Sequence, residues 1–210
     1  MKGAFISFEG IEGTGKSTQC RLLAQHLRQK GLAVTETAEP GGTQISLKIR
    51  EILLSIDSRE MRPVTELLLY NAARVQHLEE VILPALRRGD IVITDRFSDS
   101  TFAYQGYGRD LDLELIASLD RIATNGLRPA LTILLDIDVE TGLRRNRAIG
   151  KTDRLELEEI SFHEKVRRGF INLAAKESDR ITLVDCSGSI GEVHQKTAGI
   201  VTDFLETDRI

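Results

Sequence analysis

Lys16 closes the octet Gly10-Ile11-Glu12-Gly13-Thr14-Gly15-Lys16-Ser17, whose spacing, G-x-x-x-x-G-K-[ST], is that of a loop that wraps a polyphosphate. Its glycines accept backbone angles closed to other residues and admit close approach of phosphate oxygens, so the amides of residues 13–17 can turn inward. Lys16 supplies a point charge to the β- and γ-phosphates of ATP, and the Ser17 hydroxyl suits a hydrated magnesium ion. With Thr18 in the helix that follows, the ATP-binding run is Gly10, Ile11, Glu12, Gly13, Thr14, Gly15, Lys16, Ser17 and Thr18. A second pair stands at 95–96. Asp95 follows the apolar run 91–94, as a carboxylate that helps to organise magnesium would, and Arg96 can meet a phosphate with two parallel hydrogen bonds. A local Asp95–Arg96 ion pair with no substrate contact is the plainer alternative.

These residues need elements to hold them. The apolar run 4–8 enters the glycine-rich loop, and 16–29 follows as a helix with Leu22, Leu23 and Leu27 on one face. Gly31 breaks that pattern, 32–37 predicts a second strand, and Ile45, Ile49, Ile52, Leu53 and Ile56 recur at helical spacing. A long helical stretch starts near Val64, with Pro84 predicting a kink or break before Gly89. Runs 91–94, 131–135 and 181–184 predict three more strands, and Leu115, Ile116, Leu119, Ile122 and Ala123 mark a helix between two of them. Ser189 and Glu192 form a capping-box pattern ahead of a last helix that should bury Val193, Ile200, Val201 and Phe204. Apolar strands alternating with helices predict an α/β fold with a five-stranded parallel sheet covered on both faces. In such sheets ligands sit beyond the carboxyl ends of the strands, where the motifs above fall.

With 210 residues and no Gly/Ser- or Pro-rich linker, residues 1–210 read as one domain. A formal net charge of -4 argues against broad binding to nucleic acid, so any polyanion site must be local. The two cysteines, Cys20 and Cys186, lack metal-ligand spacing and read as reduced thiols. Met1-Lys2-Gly3 runs into an apolar stretch too brief for a signal-peptide core, and no segment approaches a membrane span. The expected location is the cytoplasm. A phosphate loop alone does not separate a kinase from an ATP-driven switch.

Several further motifs narrow the choice. Phe8-Glu9-Gly10-Ile11-Glu12-Gly13, Glu39-Pro40-Gly41-Gly42-Thr43, Tyr70-Asn71-Ala72-Ala73-Arg74, Asp95-Arg96-Phe97, Ser100-Thr101-Phe102-Ala103-Tyr104-Gln105-Gly106 and Asp153-Arg154 occur in this order along nearly the whole chain. In this the sequence resembles the bacterial thymidylate kinases, members of the P-loop nucleoside monophosphate kinases, with a three-layer α/β/α fold and a small lid, here about 142–157. The resemblance implies transfer of the ATP γ-phosphoryl group to dTMP, giving dTDP and ADP for dTTP synthesis, with Mg2+ and as a homodimer. It makes Lys16, Asp95, Arg96, Arg147, Lys151 and Arg154 the catalytic candidates, with Ser17 and Asp95 toward the metal. It makes Glu12, Glu39, Pro40, Arg50, Tyr70, Arg74, Arg96, Ser100, Thr101, Tyr104 and Gln105 the substrate contacts.

Within that set, Arg50 and Arg96 would hold the acceptor phosphate and Glu12 would accept the sugar 3'-hydroxyl. Tyr70 stands where the family usually stacks phenylalanine on thymine, and Arg74 would donate to a base carbonyl. Thr101 and Gln105 would meet the base edge while Tyr104 crowds the sugar 2' position. Stacking tolerates any base, so hydrogen bonds must choose thymine, and dUMP should be a poorer but detectable substrate. The loop offers no arginine, so a lid cation from the basic run Arg144-Arg145-Asn146-Arg147, Lys151 and Arg154 should meet the transferring group. Two departures leave open which one: Ala38 replaces an arginine common before Glu-Pro-Gly-Gly, and Ile149 replaces a lid arginine common before glycine. A kinase for another monophosphate, an ATP-hydrolysing switch and a nucleotide-binding regulator are the competing readings.

Overall fold

A computed structural model of the chain describes residues 3–148, 150 and 153–207. The strands are β1 Phe5–Glu9, β2 Val34–Ala38, β3 Ile91–Asp95, β4 Leu131–Asp136 and β5 Ile181–Asp185. They form one parallel sheet in the order β2-β3-β1-β4-β5, with β1 at its centre and Ser7 level with Thr94 on one side and Thr132 on the other. The helices are α1 Lys16–Gln29, α2 Gln44–Leu54, α3 Pro63–His77, α4 Leu83–Arg88, α5 Ser98–Thr101, α6 Leu113–Thr124, α7 Val139–Ala148, α8 Ile160–Lys176 and α9 Ile190–Thr207.

The two-residue alternation of β1 divides the core. Ile6 and Phe8 pack with Leu23 and Leu27 of α1 and Val201 of α9, whereas Phe5 packs with Leu78, Ile82, Ala85 and Phe97. This layering is the expected one, with the sheet buried between helices. The capping box forms at the start of α9: Ser189 N and Oγ donate to Glu192 Oε2 at 2.8 and 2.7 Å. Val193 and Val201 are buried there as expected, while Ile200 and Phe204 are only partly covered.

Pro84 does not end the helical run. Leu78–Ile82 widens into a π turn that joins α3 to α4, and the run closes at Gly89, left-handed at φ 86°. The wider turn is where the chain absorbs a residue that cannot donate to the turn before it. A second π turn, Phe102–Gly108, continues α5 and carries Tyr104 and Gln105.

The apolar spacing in α2 does not mark a buried face. Leu53 is fully covered, but Ile45 and Ile52 stay about half exposed, at 51% and 50%. Leu68 on α3 and Leu115 and Ile122 on α6 are exposed as well. α3 packs against both α2 and α6, so these exposed apolar residues lie on neighbouring helices.

Candidate active site

β1 ends by delivering the chain into the phosphate loop at the centre of the sheet. Gly13 has φ 72° and Gly15 φ 87°, and Gly15 directly precedes α1, whose unpaired first amides face the loop. At Gly13 more than dihedral freedom is at stake: a Cβ there would lie 1.9 Å from the carbonyl oxygen of Gly142 on α7. The loop and α7 touch backbone to backbone. Lys16 is buried and donates through Nζ to Ile11 O at 2.7 Å. Burial, helped by Arg96, brings its ammonium down to about 8 against the pull of Asp95, Glu12 and Glu9. Ser17 Oγ donates to Asp95 Oδ2, so the hydroxyl after β1 and the carboxylate after β3 are joined at the loop's mouth.

Arg96 takes up a left-handed backbone, φ 74°, with its amide bonded to Phe8 O at 2.9 Å. That turn directs its guanidinium across the strand ends. Nη1 donates to Gly10 O at 3.0 Å and Ser100 Oγ at 2.9 Å, and Nη2 to Tyr104 Oη at 3.0 Å and Glu12 Oε1 at 3.3 Å. Its ion-pair partner is Glu12, not Asp95. Burial opposes its charge, yet Tyr104, Glu12, Asp95 and Glu9 outweigh burial and hold it firmly protonated. Tyr104 also donates to Glu12 Oε1 at 2.5 Å.

Two buried residues that sequence reasoning did not single out complete this cluster. Glu9, at the end of β1, accepts from Phe97 N at 2.7 Å and Ser100 Oγ at 2.6 Å, fastening the β3–α5 turn. Burial and Asp99 push its carboxyl up to about 8. His163 of α8 is fully buried, with Nδ1 3.3 Å from Glu12 Oε2 but without hydrogen-bond alignment. Burial would raise the Glu12 carboxyl, but His163, Arg96, Lys16 and Tyr104 prevail and bring it down to about 2.

On the other side, Glu39 after β2 accepts Arg74 Nε at 2.7 Å and lies 3.0 Å from His77 Nδ1. Arg50 donates to Pro40 O at 2.8 Å, following a cis Glu39-Pro40 bond. The Arg74 side chain is 2% exposed, and its Nη1 has no hydrogen-bond partner. The Thr101 hydroxyl is buried and unpartnered too. Both residues line the cleft beside Tyr70 and Gln105, and Arg74 Nη1 itself lies 3.8 Å from Asp120 Oδ1.

The structure brings nearly all the candidates into one continuous cleft of about 1380 Å³, large for a single small ligand. It runs from Cys186, Ser189 and Ile190 past Lys16, Ser17 and Asp95 to Arg50, Tyr70, Arg74, Thr101 and Gln105. Glu39 and Pro40 line it as well, together with Ser100, Tyr104 and Thr18.

The cations expected in a lid are placed differently from one another. Arg154 is buried, donating Nε to Leu53 O at 3.0 Å with Nη2 2.6 Å from Glu66 Oε2. Arg145 donates to the carbonyls of Cys186 and Ser187 at 3.0 and 3.3 Å and lines the cleft. Arg147 is exposed at the end of α7. Lys151 and Ile149 lie outside the described residues.

A family model described as thymidylate kinase matches residues 8–197. A thymidylate kinase of Geotalea uraniireducens strain Rf4 is 50% identical over 211 residues, covering 97% of this chain and 99% of its own. One from Pseudomonas fluorescens strain SBW25 is 49% identical over the full length of both chains. The crystal structure of thymidylate kinase from Ehrlichia chaffeensis superposes with a TM-score of 0.78 at 33% identity, over 96% of this chain and 99% of that one.

Proposed function

This chain belongs to the thymidylate kinase family, and from that premise we propose how its cleft passes the γ-phosphoryl group of ATP to dTMP. It is an ATP-dependent nucleoside monophosphate kinase, a phosphotransferase. One observation carries the assignment of its parts: a single cleft is lined both by the phosphate loop with Lys16 and by Tyr70, Arg74, Thr101 and Gln105.

ATP takes the end formed by residues 10–18, with its phosphates on the loop amides and Lys16 transferred from Ile11 O to the β- and γ-phosphates. The Ser17 hydroxyl and the Asp95 carboxylate are the oxygen pair that would hold Mg2+. They suit it, because this ion is bound by one or two protein oxygens, waters and phosphates rather than by a protein cage. Once bound, it would neutralise charge on the transferring phosphate oxygens.

dTMP takes the other end. Tyr70 stacks on the base, Arg74 donates to a base carbonyl, and Thr101 and Gln105 meet the base edge. Glu12, kept ionised and fixed by Tyr104 and Arg96, accepts the 3'-hydroxyl, and Arg50 and Arg96 hold the 5'-phosphate in line with the γ-phosphorus. That phosphate is already a nucleophile, so no general base is needed; position and charge do the catalysis. The lid's charge comes from Arg147 and Lys151. Arg154, tied to Glu66 and Leu53, anchors the segment instead.

Pairing of two copies through α2, α3 and α6 would cover Ile45, Ile52, Leu68, Leu115 and Ile122, and we infer a homodimer on that surface. Cys20 and Cys186 are free, buried thiols, as suits a cytoplasmic enzyme. No helix among the described residues is long and apolar enough to cross a membrane.

The test is turnover of purified enzyme with ATP against a panel of monophosphates. dTMP is expected to lead and dUMP to follow with a lower kcat/KM. Equal or better use of AMP, GMP or CMP, or ADP release that needs no acceptor, would reject the assignment.

A further inference from the structure

Glu66 sits on α3, one turn before Tyr70, fully buried and away from the phosphate machinery. Gln105 Nε2 donates to its Oε1 at 2.8 Å. Arg109 donates Nε to Oε1 at 3.3 Å and Nη2 to Oε2 at 3.2 Å, and Arg154 Nη2 lies 2.6 Å from Oε2. Burial would raise this carboxyl, but Arg109 and Arg154 overcome burial and keep it below its usual value. An ionised carboxylate accepts hydrogen bonds and cannot donate one. The Gln105 amide thus has one orientation open to it, with its NH2 toward Glu66 and its carbonyl oxygen turned away, in a side chain that lines the cleft beside Thr101 and Arg74.

We propose that Glu66 is a positioning residue that sets base selectivity, by committing the Gln105 amide to present an acceptor to the base of the acceptor nucleotide. Thymine offers an N3–H between two carbonyl oxygens, which an amide oxygen meets. Cytosine offers an N3 lone pair, which the same oxygen repels. An unrestrained glutamine turns over and serves either base, so Gln105 alone does not discriminate. Arg109 and Arg154, both close to Oε2, keep the carboxylate from following such a turn. The proposal rests on reading Gln105 as a base-edge contact.

The experiment measures the ratio of kcat/KM for dTMP to that for dCMP in wild type, Glu66→Gln, Gln105→Met and the double variant. Glutamine at 66 offers either an oxygen or an NH2, which frees Gln105 to turn. The ratio is expected to fall about tenfold or more in Glu66→Gln, and the double variant to match Gln105→Met within about twofold. Both substrates are read on one preparation, so the ratio is independent of the fraction folded. If Glu66→Gln does not accumulate, Glu66→Asp keeps the charge for Arg109 and Arg154 while withdrawing the carboxylate from Gln105, and the same fall is expected. An unchanged ratio at Glu66 with a lowered one in Gln105→Met overturns the role of Glu66 and leaves the base-edge contact standing. An unchanged ratio in Gln105→Met removes that contact and the proposal with it.

Discussion

Arg74 Nε meets Glu39 Oε2 at 2.7 Å with both side chains almost wholly buried, so the carboxylate that follows β2 fixes a guanidinium that lines the cleft. The same carboxylate lies 3.0 Å from His77 Nδ1 one turn further along α3. Removing it takes the short partner from a buried cation and leaves only Asp120, 3.8 Å from Nη1, which costs up to about 3–5 kcal/mol. Glu39→Ala is expected to lower stability by that order in a denaturant titration and to raise KM for dTMP. Unchanged stability would mean that Arg74 finds another partner.

Much of this arrangement was legible along the chain because it rests on local signals. The octet ending at Ser17 needs only its own glycines and the helix after it, and Asp95-Arg96 announces itself as polar residues closing an apolar strand. Contacts between distant segments left no such mark. Nothing local in His163 shows that α8 packs it against Glu12, or that Glu66 will gather Gln105, Arg109 and Arg154. Arg154 reads as one more lid cation until the fold brings Leu53 O and Glu66 to it. Ile45 and Ile52 recur at core spacing yet stay half exposed, because apolar periodicity alone does not say which side of a helix the fold covers.

Lys16, brought down to about 8 by burial and Arg96, is charged below that pH and neutral above it. As kcat/KM for ATP reports the free enzyme, it should fall about tenfold per pH unit above that value. In the complex the phosphates favour the charged ammonium, so kcat should hold to higher pH. A pH profile of kcat/KM for ATP that stays flat to about pH 10 contradicts this.

Arg147→Ala combined with Lys151→Ala removes the cations assigned to the lid. Since a cation on the transferring phosphoryl group is worth ~10³ or more in rate, kcat should drop by about that factor while KM for dTMP changes little. Single-turnover kinetics separate this from slower product release. A full kcat in the double variant would place the catalytic cation elsewhere, with Arg145 at the cleft the next to test.

Leu68, 49% exposed on α3, lies on the apolar side assigned to pairing. Leu68→Glu would place a charge in that interface, at a cost that an unpaired copy avoids. Sedimentation should show a dimer for wild type and a monomer for the variant. A monomeric wild type at micromolar concentration sinks the pairing.

The division of one cleft between two nucleotides is tested most directly by titrating ATP and dTMP separately into Arg74→Ala and Lys16→Ala. Charged hydrogen bonds of about 1.5–3 kcal/mol correspond to losses of about tenfold or more. Arg74→Ala is expected to lose dTMP affinity by that factor with ATP affinity held within about twofold, and Lys16→Ala to do the reverse. Loss of ATP binding in Arg74→Ala with dTMP binding spared would contradict the assignment of the two ends.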